Sequence, residues 1–283
     1  MLCTSCAACE EACPSGVPIV KMVLNERQRA FDHRTLEEGH RKIQQNIDLH
    51  GRSVAGEAYR FPQVGGRTVL FPGCIGSTRL HEEAMAAFGL LERLGLDPFV
   101  PELSCCGAPL EKIGDTGRAE AMGRKNEGVI GRANVVTSCP GCTEQLSDRF
   151  DVRHIVEVLH DEIGRSALRF RASDAKVTMH HPCHLARRVG RHAIDDSYDL
   201  LGMVPGLKVV EMDSPDTCCG GGGGVMSAYP GLAEMMAKDK LGDARNSGAD
   251  ILLAACPFCV LNLRKGGGMP VEDLPTFLYR LLD

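Results

Sequence analysis

Ten cysteines of this 283-residue chain fall into two sets of five that follow one order: a lone cysteine, a CCG triplet, then CPxC. The first set is Cys74, Cys105, Cys106, Cys139 and Cys142; the second is Cys183, Cys218, Cys219, Cys256 and Cys259. Their spacings are C-x30-CC-x32-CPxC and C-x34-CC-x36-CPxC, so residues far apart in sequence must converge twice in the same manner. The flanks repeat too. RTVLFPGC (67–74) matches KVTMHHPC (176–183), and ANVVTSCPGC (133–142) matches ADILLAACPFC (249–259). Each is a short β-type run that delivers cysteine at its end. Between them lie stretches with apolar residues at three- and four-residue intervals, HEEAMAAFGLLERLG and GLAEMMAKDKLGDARNSG. VRHIVEVLHDEI and PVEDLPTFLYRLL read as a closing helix for each half. The rhythm predicts an internal duplication, two tandem parallel α/β domains over residues 67–170 and 171–283. In such units ligands sit at the carboxyl ends of the strands, where every cysteine group falls.

The remaining four cysteines form CTSCAACEEACP, with Cys3, Cys6, Cys9 and Cys13 before Pro14. This C-x2-C-x2-C-x3-C-P run is the ferredoxin signature for a 4Fe-4S cluster. Since the fourth cysteine of such runs serves the other cluster in two-cluster ferredoxins, the expectation is an upstream half-ferredoxin outside this chain or supplied by a partner. One cluster on all four cysteines is the alternative. Residues 1–20 are thus a partial ferredoxin-like module, and 21–66 a helical linker whose charges read as a solvated face.

The three groups together use all fourteen cysteines. A disulfide scaffold is excluded, because such chains are short and lack a large core. A dithiol at CPGC or CPFC leaves Cys74 and the CC pair unexplained, and tetrahedral zinc has no use for five ligands. Iron–sulfur chemistry fits best, the fifth thiolate bridging irons of an opened cluster. The net charge of −5 gives no nucleic-acid footprint. The longest apolar stretch, 251–263, is broken by Pro257 and too short to span a bilayer, and no signal peptide is visible, so the chain reads as soluble.

The paired motifs, with HHPCHLARRVG, CCGGGGGVM and ADILLAACPFC, resemble the cysteine-rich CCG domains of the heterodisulfide reductase catalytic subunit. Related domains occur in iron–sulfur subunits of glycolate oxidase, anaerobic glycerol-3-phosphate dehydrogenase and sulfite-reductase-associated complexes. A ferredoxin module before two CCG domains resembles the fused, membrane-associated type. The resemblance implies one noncubane 4Fe-4S cluster on each five-cysteine set, which would make all ten catalytic as well as metal-binding. It also implies cleavage of a disulfide such as CoM-S-S-CoB, with electrons entering through the ferredoxin-type cluster. The implied partners are an electron-donor subunit (flavoprotein, cytochrome or ferredoxin-type protein) in a multi-subunit complex, a membrane-bound one included. The implied location is the cytoplasm, at the inner face of the membrane where that partner is present. A pure electron-transfer subunit of a glycolate, glycerol-3-phosphate or lactate dehydrogenase or of a sulfite-reductase-associated complex, and a non-catalytic cluster scaffold, are the rivals.

Of the smaller signals, His180, His181 and His184 flank Cys183, and His184 is a candidate proton donor. Arg187, Arg188 and Arg191 are candidates for an anionic substrate, against a solvated helix face. The glycines after Cys219 match no dinucleotide or phosphate-loop fingerprint. Gly107, Gly220 and Gly221 are expected to let the CC pairs face a cluster, and the longer second run to leave open space beside it. KGGGMP (265–270) reads as a turn before the last helix.

Overall fold

The computed structural model describes residues 2–31, 36–62 and 66–283. The N-terminal region is helical: α1 (Ala8–Glu11), α2 (Ile19–Phe31) and α3 (Glu38–His50). The first copy then runs β1 (Thr68–Phe71), α4 (Gly73–Thr78), α5 (His81–Arg93), β2 (Pro98–Phe99), α6 (Ala108–Ile113), α7 (Thr116–Ile130), β3 (Asn134–Thr137), α8 (Pro140–Leu146), β4 (Val152–His154) and α9 (Ile155–Arg165). The second repeats that order: β5 (Lys176–His180), a π-helical turn at Leu185–Val189, α10 (His192–Gly202), β6 (Lys208–Val209), α11 (Val225–Ala228), α12 (Pro230–Asn246), β7 (Ile251–Ala254), α13 (Pro257–Gly266), β8 (Val271–Asp273) and α14 (Leu274–Leu281). Both four-stranded sheets are wholly parallel, in the orders β2-β1-β3-β4 and β6-β5-β7-β8. The mixed α/β duplication expected from the cysteine pattern is the fold observed.

Central strands covered by helices on both faces must be apolar throughout, and Thr68–Phe71 is buried at every position. Leu70 pairs in register with Val136, and Met179 with Leu253. These side chains belong to one continuous core shared by the two copies, with Leu90, Ile155, Leu159, Leu274 and Phe277. Truncating one of these leucines to alanine would cost about 2–5 kcal/mol.

The closing helices start later than their sequences suggest. Val152–His154 and Val271–Asp273 are fourth strands, each too short and too charged to show an alternation. The linker reading changes as well. Within α2 and α3, Arg27 and His40 are buried rather than solvated. The Arg27 guanidinium donates to the carbonyls of Cys3, Lys112 and Gly223, at 2.6, 2.7 and 3.0 Å. These helices clamp the N-terminal run onto both copies.

Candidate metal centre

Each of the ten cysteines of the two repeated sets sits in the connection between a parallel strand and a helix, or in that helix's first turn. Cys139 and Cys256 are the N-caps of α8 and α13, with Pro140 and Pro257 at the next position. Proline is favoured there because its missing N–H would be unpaired anyway, and the second cysteine of each CPxC falls in the first helical turn. Cys74 lies at the start of α4, and Cys183 just before the π-helical turn. The CC pairs occupy the loops before α6 and α11, each followed by a glycine at positive φ: Gly107 at 101° and Gly220 at 86°. A Cβ at these glycines would meet the carbonyl oxygens of Ala119 and Ala233 at 2.9 and 3.0 Å. The glycine thus bends the backbone and lets it press against α7 in the first copy and α12 in the second.

The result is one cavity of about 130 Å³ lined by all ten of these cysteines together with His184, Lys112 and Gly221. All ten are buried and none is in a disulfide. Their thiols form an unbroken contact series: Cys74, Cys105, Cys106, Cys142, Cys139, then across to Cys256, Cys259, Cys219, Cys218 and Cys183. The crossing point is the Cys139–Cys256 contact between the two CPxC motifs. Hydrogen bonds from neighbouring thiols push some members toward thiolate. Cys105 and Cys142 hold Cys106 down to about 6, and Cys183 holds Cys218 down to about 7. Cys139 and Cys219 are also lowered, by Cys142 and Cys218 foremost.

This donor set suits iron–sulfur clusters. Soft thiols converge out of water, and backbone amides point at their sulfurs: Ser53 at Cys74 (3.3 Å), Gly107 at Cys105 (3.5 Å) and Gly220 at Cys218 (3.4 Å). Behind the CC pairs stand two residues missed from sequence, the buried amides of Asn126 and Asn262. Asn126 donates to the Ser104 and Cys105 carbonyls, and Asn262 to those of Cys219 and Ala233. The available signal was an asparagine inside α7 and α13, where helix propensity disfavours it.

The N-terminal run reaches the same place. The Cys6 thiol contacts Cys218, which with burial pushes it up, and Thr4 Oγ1 lies 3.4 Å from Cys218 Sγ. Cys3 and Cys13 are partly exposed and Cys9 exposed. The amides of Val17, Ser15 and Gly16 lower Cys13.

The glycine run does not leave open space where this segment docks. A Cβ at Gly222 would lie 2.8 Å from the Thr4 carbonyl oxygen, one at Gly223 2.4 Å from that of Cys3, and one at Gly224 2.9 Å from His40 Nε2. The arginines are likewise committed. Arg187 pairs with Glu11 at 2.5 Å, Arg188 with Glu10 at 3.0 Å and Arg191 with Asp216 at 3.2 Å. Arg187 and Arg188 hold α1 and are largely withdrawn from solvent, whereas Arg191 stays exposed while it pairs with the loop before Cys218. His181 is taken up by Asp216 (2.8 Å) and the Tyr198 hydroxyl (3.0 Å).

His184 is the flanking histidine that lines the cavity, and its Nδ1 lies 2.9 Å from Glu144 Oε2. Lys112 Nζ stands 3.6 Å from the same oxygen. Burial alone would raise Glu144, but His184, Lys112 and Arg188 together hold it down to about 2. Burial and the Lys240 charge push His180 down to about 4. Among the described residues, no helix is long and apolar enough to cross a membrane.

The family model "Cysteine-rich domain" (CCG) matches twice, over residues 68–147 and 177–264. An uncharacterized iron–sulfur protein of Methanococcus maripaludis is 32% identical over 282 residues, covering 93% of this chain and 56% of its own. One of the subunits of the fumarate reductase (CoM/CoB) of Methanothermobacter marburgensis is 32% identical over 279 residues, with the same two coverages, 93% and 56%. The chain thus spans about half the length of these two curated relatives. One of the subunits of the dihydromethanophenazine:CoB–CoM heterodisulfide reductase of Methanosarcina acetivorans is 30% identical over 336 residues, covering 99% of this chain and 77% of its own.

Proposed function

Because the chain belongs to the cysteine-rich CCG domain family, we propose that it is a heterodisulfide reductase-like catalytic subunit, cleaving a disulfide such as CoM-S-S-CoB between two cluster-bearing copies. The observation that carries this reading is the shared cavity. Two complete five-cysteine sets face one space, and the Cys139–Cys256 contact leaves no wall between them. A scaffold or a simple relay needs no common chamber. In this reading each set holds one noncubane 4Fe-4S cluster, Cys3, Cys6, Cys9 and Cys13 serve a ferredoxin-type cluster, and residues 67–170 and 171–283 are the two domains.

The bound clusters would supply electrons singly and sites for the substrate's sulfurs. The chain itself manages protons and access. Reductive cleavage consumes two electrons and two protons, R–S–S–R′ + 2e⁻ + 2H⁺ → R–SH + R′–SH. Ionised Glu144 accepts from His184 Nδ1–H and faces Lys112 Nζ, so protons are held at two named atoms on the cavity wall. Electron uptake falls to the N-terminal run, whose Cys6 touches Cys218. The donor is a partner protein (flavoprotein, cytochrome or ferredoxin-type), in keeping with relatives that are themselves subunits.

Oxidation of reduced benzyl viologen by the iron-loaded chain, dependent on CoM-S-S-CoB or another disulfide, tests the proposal. Full cluster occupancy without turnover would leave the electron-transfer role, to which the Cys6–Cys218 contact also lends itself.

A further inference from the structure

One element of the second copy has no counterpart in the first. Counting back from the lone cysteine, the strand before Cys74 ends in Phe71 and the strand before Cys183 in His180. Both side chains are 1% exposed. A phenyl ring at that depth is ordinary core, whereas an imidazole needs partners for two nitrogens.

His180 Nδ1 lies 3.2 Å from the Pro215 carbonyl oxygen. A carbonyl only accepts, so Nδ1 carries the proton and the Nε2 of the neutral ring presents a lone pair. That buried Nε2 has no hydrogen-bond partner among the described residues. Sulfur lies beside the ring: a ring nitrogen of His180 and the sulfurs of Cys219 and Cys259 all lie within 4.8 Å of one another, and with Nδ1 engaged by Pro215 the nitrogen left to a metal is Nε2. Buried polar atoms of this kind are rare unless they have a partner of another sort. An imidazole fixed by Nδ1–H···O=C, with cysteine sulfurs beside its other nitrogen, is how proteins orient histidine for a metal.

We propose that His180 Nε2 is an iron ligand of the second cysteine centre, which becomes a mixed nitrogen–sulfur site while the first remains all-sulfur. The inference rests on the iron–sulfur reading above. It makes the two copies chemically distinct at a position where the repeat aligns phenylalanine with histidine.

The test uses the full chain, loaded with iron and sulfide, with its histidines labelled with 15N, and nitrogen hyperfine spectroscopy in a paramagnetic state. The expected result is a strongly coupled imidazole nitrogen that disappears in H180F, which copies Phe71, and persists in H184A. Iron analysis runs alongside. Iron at both CCG centres without a coupled imidazole nitrogen overturns the inference and leaves the cluster reading standing. Absence of iron beyond the N-terminal site overturns both. The labelled wild-type spectrum decides the matter even if H180F fails to fold.

Discussion

The two copies share an order of elements but not a neighbourhood. Around the first CC pair, Cys105 donates its amide to the Gly51 carbonyl, Cys74 accepts from Ser53, and the glycine after the pair leads straight into Ala108 and Pro109. Around the second, a glycine run admits the N-terminal segment to the cavity wall, and three arginines, Arg27 in α2 and Arg187 and Arg188 in the π-helical turn, fasten it there. A duplicated scaffold thus supplies the cysteine geometry twice, while single-copy additions give the second site a covering segment that the first lacks.

Removing one ligand per copy tests that division most severely. If disulfide cleavage needs both centres, C219S and C106S each lower disulfide-dependent viologen oxidation by roughly 100-fold or more. Normal turnover in either variant would reduce the reaction to one copy.

Next comes the fastening of the N-terminal run. Arg27→Ala leaves the carbonyls of Cys3, Lys112 and Gly223 without their charged donor. A loss of about 3 kcal/mol in unfolding free energy is expected. Chemical denaturation measures the loss, and a slower reduction of the CCG clusters by an external donor should accompany it.

A third variant separates the copies at their last helices. The N-cap of α9 is His154, and that of α14 is Asp273. Burial lowers His154 and raises Asp273 to about 7. An aspartate with a raised folded pKa binds its proton more tightly folded than unfolded. Stability from this group is therefore present at acid pH and is lost as pH rises from its unfolded value near 4 through about 7. Asp273→Asn, which keeps an oxygen to accept from the Thr276 amide, removes that slope. Between pH 5 and 7 it should gain about 2 kcal/mol relative to wild type. Melting curves across that range check it, and parallel curves for the two proteins would count against the assignment.

The mildest pair is Asn262→Ala and Asn126→Ala. Each removes a buried amide behind one CC pair, at about 1–2 kcal/mol apiece. Similar losses would show that both copies are braced alike, unlike their surroundings.

The cysteine spacing made the duplicated parallel fold and the ten cavity-lining thiols legible in advance, because chemistry fixes both residue type and order at those positions. Other features were hidden for identifiable reasons. The strands Val152–His154 and Val271–Asp273 span three residues and include charges, so no alternation could announce them. Arg27 sits in a polar helix, and nothing local distinguishes a buried arginine from a solvated one. Its partners are 24, 85 and 196 residues away. The glycine run read as room beside a cluster, since the segment that fills it comes from the far end of the chain. His180 looked like one of three equivalent histidines until its neighbours separated it from His181 and His184.

The docking of the N-terminal run also bears on how the molecule is made. Thr4 meets Cys218 across 214 positions of sequence. During synthesis the segment carrying Cys3 to Cys13 emerges long before the glycines that receive it. These early residues therefore reach their final contacts only once the second copy has been made, so the covering of the second site is tied to completion of the chain's far half.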